Sequence, residues 1–198
     1  MKGQFGSFLR CEGGQISIEF AILMPLYAFV LVGSFEFWDA FRSSSQTAKV
    51  AYAASDIASR VNTFNDDEAQ RIADVVDKML GVDLDQRRLR ISNICFEDNR
   101  YAVQWSAPYT TVDVTEPFEP ITDDDLLTAD GDPLPFLPTM APQESIILVE
   151  LIARWRPAFN VGIGAQTWRF ELVTRPRFVE NSVPYEGVND TDFCPNAV

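Results

Sequence analysis

Residues Ile16 to Phe35 read ISIEFAILMPLYAFVLVGSF, twenty residues that carry one charge, Glu19. No other stretch limits so strongly what this chain can become. As an α-helix rising 1.5 Å per residue, such a run is roughly 30 Å long, the thickness of the hydrocarbon core of a bilayer. It exceeds the roughly 7–15 residues of a secretory signal's apolar core, and a charge sits inside it. Lys2 and Arg10 precede the run, while Glu36 and Asp39 follow it. That asymmetry predicts insertion with the N-terminus in the cytoplasm.

Residues 1–14, MKGQFGSFLRCEGG, are short, glycine-rich and slightly basic, and nothing in them resembles an element of a packed domain. We expect a leader over 1–14, a transmembrane helix over 15–38 and a helical continuation over 39–63. In the continuation Ala48, Ala51, Ala54, Ala58 and Val61 recur at helical spacing and form one face of small residues, which lets another element approach closely. Residues 64–198 are expected to form an α+β head. A second helix is predicted at about 67–80, with Asn65 or Asp66 as its cap and Gly81 as its end. Its expected apolar stripe is Ile72, Val75, Val76, Met79 and Leu80. Strands are predicted at 89–96 and 101–105, joined as a hairpin through Glu97-Asp98-Asn99-Arg100, and at 146–155 and 168–174. Tyr101, Val103 and Trp105 should share one face of their strand, and the aromatic residues there, with Trp155 and Trp168, should pack a core; an exposed adhesive patch is the alternative. Residues 108–143 hold seven prolines, eight acidic residues and no basic one, and read as an irregular loop over the surface.

Composition removes several function classes. The net charge is −13, so a basic nucleic-acid footprint is missing and no nucleic-acid partner is expected. The chain has no histidine, which excludes Ser-His and Cys-His nucleophile pairs and the commonest metal ligand. The acidic residues show no converging pair for acid–base work, so the chain is read as no enzyme, with no catalytic residues. Asp123, Asp124, Asp125, Asp130 and Asp132 fail the spacing of a calcium-binding EF-hand loop, so no metal and no cofactor are expected. Arg87, Arg88 and Arg90 read as a solvated basic face at a strand start. The cysteines are Cys11, Cys95 and Cys194. If Cys11 belonged to a removed leader, Cys95 and Cys194 would remain as a candidate disulfide in an oxidising compartment.

Residues 14–20 read GQISIEF. A glycine followed five residues later by a glutamate, at the mouth of a bilayer-length span and behind a short basic leader, resembles the processing site of type IV prepilins. Gly14 has no side chain, so a protease can approach its backbone. A cut after Gly14 would place a new amine on Gln15, one helical turn from Glu19. A glutamate in a bilayer costs about 2.5–3.5 kcal/mol, and an amine beside it lowers that cost. Pro25 removes one backbone hydrogen bond and can kink the helix.

The wider stretch GQISIEFAILMPLYAFVLVGSFEFWDAFR resembles the TadE-like family, through Gly14, Glu19, Phe20, Ala21, Pro25, Gly33 and Glu36. The strand pair VELIARWRP and WRFELVTRPRF resembles it more weakly. The resemblance implies a pilin-like fold, in which a long N-terminal helix packs on a small antiparallel sheet. It implies a minor pilin or pseudopilin of a Tad-type pilus and secretion system, cut by a prepilin peptidase and supporting adhesive pilus assembly. Its implied partners are that peptidase, other Tad pilins and pseudopilins, the inner-membrane assembly platform and membrane lipid. Its implied place is the bacterial inner membrane with the head in the periplasm, or the extracellular pilus itself. The alternative is an unprocessed single-span protein with a periplasmic binding or adhesion domain.

Overall fold

The structure, a computed structural model, describes residues 15–81, 84–110, 118–159, 162–179 and 182–186. Two helices and a four-stranded antiparallel sheet account for most of them: α1 (Gln15–Ala58), α2 (Asp66–Leu80), β1 (Leu84–Glu97), β2 (Arg100–Thr110), β3 (Glu144–Trp155) and β4 (Gln166–Thr174). The fold is α+β, as expected. The chain divides into two compact units. One contains the helix up to Phe41 together with residues 157–164, and the other contains residues 42–156 and 165–198.

In the larger unit the strand order is β2-β1-β3-β4. Asp98 and Asn99 join β1 to β2 with φ of 49° and 63°, the left-handed pair that a two-residue hairpin turn requires. The central strand β3, ESIILVELIARW, is buried on both faces over Ser145–Ala153. Each of its large aliphatic side chains contributes about 1.5–3 kcal/mol on leaving water. From Ile146 to Ala153 this strand is an apolar run with one interruption, Glu150, which is 3% exposed. Arg90 on the paired strand answers it, with Nε 2.5 Å from Oε2. A buried carboxylate without such a partner would be strongly disfavoured.

Cross-strand partners define the two faces. Phe96, Ile94, Tyr101, Val103, Ile146, Leu148 and Val173 share one face and form a cluster with Ile121, Leu126 and Met140. The last three come from the acidic segment, together with half-buried Phe136 and Leu137. The expectation of a loop merely lying over the surface is therefore corrected: residues 118–143 supply the second layer of a core. Their apolar residues follow no period, because they pack from irregular backbone. Polar bonds pin the segment. Tyr101 Oη donates to the Pro138 carbonyl at 2.8 Å, the Val103 N–H donates to Asp123 Oδ1 at 2.6 Å, and the Gln143 N–H donates to the Phe96 carbonyl at 2.9 Å.

On the other face, Leu89, Ile91, Cys95, Ile147, Val149, Leu151, Ala153 and Trp155 are buried. The α2 helix packs against β1 and β2. Asn65 caps it, its side chain accepting from the Glu68 N–H at 2.8 Å, and Gly81 ends it at φ 71°. Its buried stripe is Ile72, Ala73, Val76 and Leu80, whereas Val75 and Met79 are 38% and 42% exposed, at the edge of that stripe rather than within it. Within this unit α1 buries Ser43, Thr47, Val50, Ala51, Ala54, Ser55 and Ala58, one helical face. The helix ends at Ala58, short of the expected 63, because Arg60 and Val61 turn to bond the Ile57 and Ala58 carbonyls.

The register between β1 and β2 shifts between Asn93 and Ile94, whose partners are Trp105 and Val103. Gln104 is the extra residue of a β-bulge, so Val103 and Trp105 point to opposite faces. The expectation that Tyr101, Val103 and Trp105 share a face is corrected accordingly. Trp105 instead stacks between Phe64 and Tyr185, with centroids 4.6 and 5.3 Å away, and donates through Nε1 to the Val183 carbonyl at 2.7 Å.

Candidate functional site

The sequence expectations converge on the start of α1. Gly14 lies outside the described residues, and Gln15 is the first residue of the helix. Glu19, four residues on, shares a helical face with Gln15 and is exposed. Pro25 sits inside the helix, which continues on both sides of it. Its missing N–H leaves the Ala21 carbonyl without its usual helical donor.

From Ile18 to Phe41 the large apolar side chains face outward. Ile18, Phe20, Ile22, Leu26, Phe29 and Leu31 are all more than half exposed. At 100° per residue these positions fall on two opposite sides of the axis, so no single protein surface accounts for them. The helix is long and apolar enough to cross a membrane, and none of its most apolar stretch is buried.

One residue in this unit breaks the pattern. Glu36 is fully buried and its Oε1 accepts the Phe159 N–H at 2.6 Å. Its Oε2 has no hydrogen-bond partner among the described residues. Phe159 belongs to the β3–β4 connection, residues 157–164. The sequence reading placed Glu36 just beyond the span but missed this contact, because 123 positions separate the two residues.

In the head, the basic cluster is not the solvated face that was expected. Arg87 closes the C-terminal end of α2, its Nη1 donating to the Gly81 carbonyl at 2.7 Å and its Nε lying 3.2 Å from Asp77 Oδ1, a favourable place for a cation. Arg90 pairs with Glu150, and its guanidinium lies 4.2 Å from the centroid of Phe118. A cleft of about 600 Å³ opens beside this pair, lined by Arg90, Glu119, Asp125, Glu150, Arg169 and Glu171 among others. Its charges largely satisfy one another: Arg169 lies 3.1 Å from Glu171 and 3.7 Å from Glu150. Asp125 accepts from the Thr122 N–H at 2.8 Å, and these Thr122 bonds hold its carboxyl below the usual range. Among the described residues no three potential ligands gather as a metal site needs. Trp105 and Trp155 are 7% and 1% exposed, which rules them out as the core of an exposed adhesive patch.

Cys95 is fully buried and disulfide-bonded. Its sulfur lies 3.4 Å from the Ala102 carbonyl, a packing contact, since a disulfide sulfur has no proton to donate. Cys11 and Cys194 lie outside the described residues.

A family model described as TadE-like protein matches residues 14–56. The match begins at the glycine of the predicted cut and runs almost to the end of α1, so the resemblance seen in the sequence holds over the helix. No curated protein and no solved structure matches the chain.

Proposed function

From a chain whose residues 14–56 are TadE-like, we propose that this is a minor pilin or pseudopilin of a Tad-type pilus and secretion system. A prepilin peptidase cuts it after Gly14, and its helix enters a fibre or the complex that initiates one. The protein works by assembly and not by catalysis. Its partners are other Tad pilins and pseudopilins and the inner-membrane assembly platform, and its outcome is an adhesive pilus.

The observation that carries this reading is Glu19, exposed on an apolar helix whose residues face outward on every side. A carboxylate there needs a counter-charge. The cut supplies one, the amine of Gln15, in the same chain or in the next subunit, where the pairing would set the stagger of neighbouring helices. Before assembly the span holds the protein in the inner membrane, with residues 1–14 in the cytoplasm and the head in the periplasm. There Cys95 pairs with Cys194, the cysteine that remains once the leader and Cys11 are gone.

Glu19→Ala separates the two steps. Cutting should continue, because Gly14 is intact, while pili are lost from the cell surface. Normal piliation with Glu19→Ala would remove the pairing role.

A further inference from the structure

The β3–β4 connection shares its compact unit with the apolar part of α1. Its sequence, PAFNVGIG over residues 157–164, has no charge. Phe159 is 52% exposed, although its backbone N–H is fixed on buried Glu36. At this level the helix carries Phe35, Phe37, Trp38 and Phe41, all about half or more exposed and directed to different sides. Counting from Ile16, Phe35 lies roughly 30 Å along the helix, which is the far edge of a hydrocarbon core. Trp38 is the amphipathic ring that a membrane–water interface favours, and the exposed phenylalanines around it suit the boundary between headgroups and acyl chains.

We propose that the start of the β3–β4 connection, residues 157–159, is a second, peripheral membrane contact: this tip enters the headgroup and upper acyl region of the bilayer that α1 crosses, with Phe159 as the inserted side chain. The inference rests on α1 spanning a membrane. It commits to lipid as the occupant because the tip continues the surface of the span at the depth of the aromatic girdle, and carries no charge to oppose entry. Glu36 is the positioning residue. A backbone N–H brought to the edge of hydrocarbon loses water as a partner, and a carboxylate at that level replaces it. Glu36 thereby fixes the depth of the tip relative to the helix.

The test uses the full chain with Cys11→Ser, reconstituted in phosphatidylethanolamine–phosphatidylglycerol vesicles. A fluorophore is attached through Phe159→Cys, or through Leu26→Cys as the mid-span reference, and lipids brominated at shallow or deep acyl positions act as quenchers. Phe159→Cys keeps the N–H that Glu36 holds. The label at 159 should be quenched most by shallow bromines and the label at 26 by deep ones. Adding Glu36→Ala should abolish the shallow quenching at 159 and leave that at 26 unchanged. A label at 159 that no bromine quenches, beside a quenched label at 26, would overturn the lipid contact while the span stands, and would point to a second protein chain on this tip. Absence of quenching at both positions would overturn the span and the contact together.

Discussion

Between Ile18 and Phe41, α1 turns nearly every large apolar side chain outward, whereas between Ser43 and Ala58 it buries a narrow stripe of Ser, Thr, Val and Ala. The two halves belong to one continuous helix. They differ in which side of the hydrophobic effect they use. In the first half the bulky side chains are the surface, which is favourable only against an apolar surrounding, lipid or neighbouring apolar helices. In the second half a stripe of small side chains is shut away from solvent, and the gain comes from close packing. Side-chain volume, more than apolarity, separates the two: bulk is harmless where the neighbours are fluid and costly where they are fixed.

The largest expected difference comes from removing bulk. Leu151→Ala on the buried strand should cost the head about 2–5 kcal/mol, because the cavity cannot fully collapse. Leu31→Ala, in the exposed half of α1, should change head stability by less than about 0.5 kcal/mol. Near-ultraviolet circular dichroism melts of the full chain in detergent micelles measure both. Equal losses would break the comparison.

Adding bulk gives the next effect, in the same direction. Ala54→Leu, at a fully buried position, should cost about 1–3 kcal/mol through overpacking. Ala21→Leu should be silent in the same melt, since Ala21 is exposed.

The smallest effect concerns pH and sharpens where the head ends. Burial, helped by its hydrogen bond to Asp66, pushes the Tyr185 hydroxyl up to about 12. A phenol that ionises at about 10 in the unfolded chain but later in the fold gives stability that is complete below pH 10. That contribution is lost as pH rises from about 10 towards 12, because there the folded state holds the extra proton. Tyr185→Phe should flatten this alkaline limb of the stability curve and, below pH 9, change its height but not its slope.

Much of this was legible from the sequence, and the exceptions share a cause. The span, α2 with its Asn65 cap, the hairpin turn at Asp98-Asn99 and the four strands rest on local pattern. The bulge at Gln104 does not, because it is defined by the register against Asn93 and Ile94, and alternation alone placed Trp105 on the wrong face. The acidic segment misled through its composition. Asp123 and Asp125 serve as acceptors for backbone N–H groups, and Ile121, Leu126 and Met140 reach the core without any period to announce them. Glu36 was visible as a charge after the span, but its tie to Phe159 exists only once β3 and β4 are paired. At the candidate site itself, Glu19 and Pro25 lie within α1, and the cut after Gly14 is a proposal of chemistry, not of fold.

That cut is the most direct point of attack. Intact-mass measurement and N-terminal sequencing of the protein taken from its native membrane should find Gln15 as the first residue, with Cys11 absent. A chain that begins at Met1 or Lys2 in cells with an active prepilin peptidase would contradict the account.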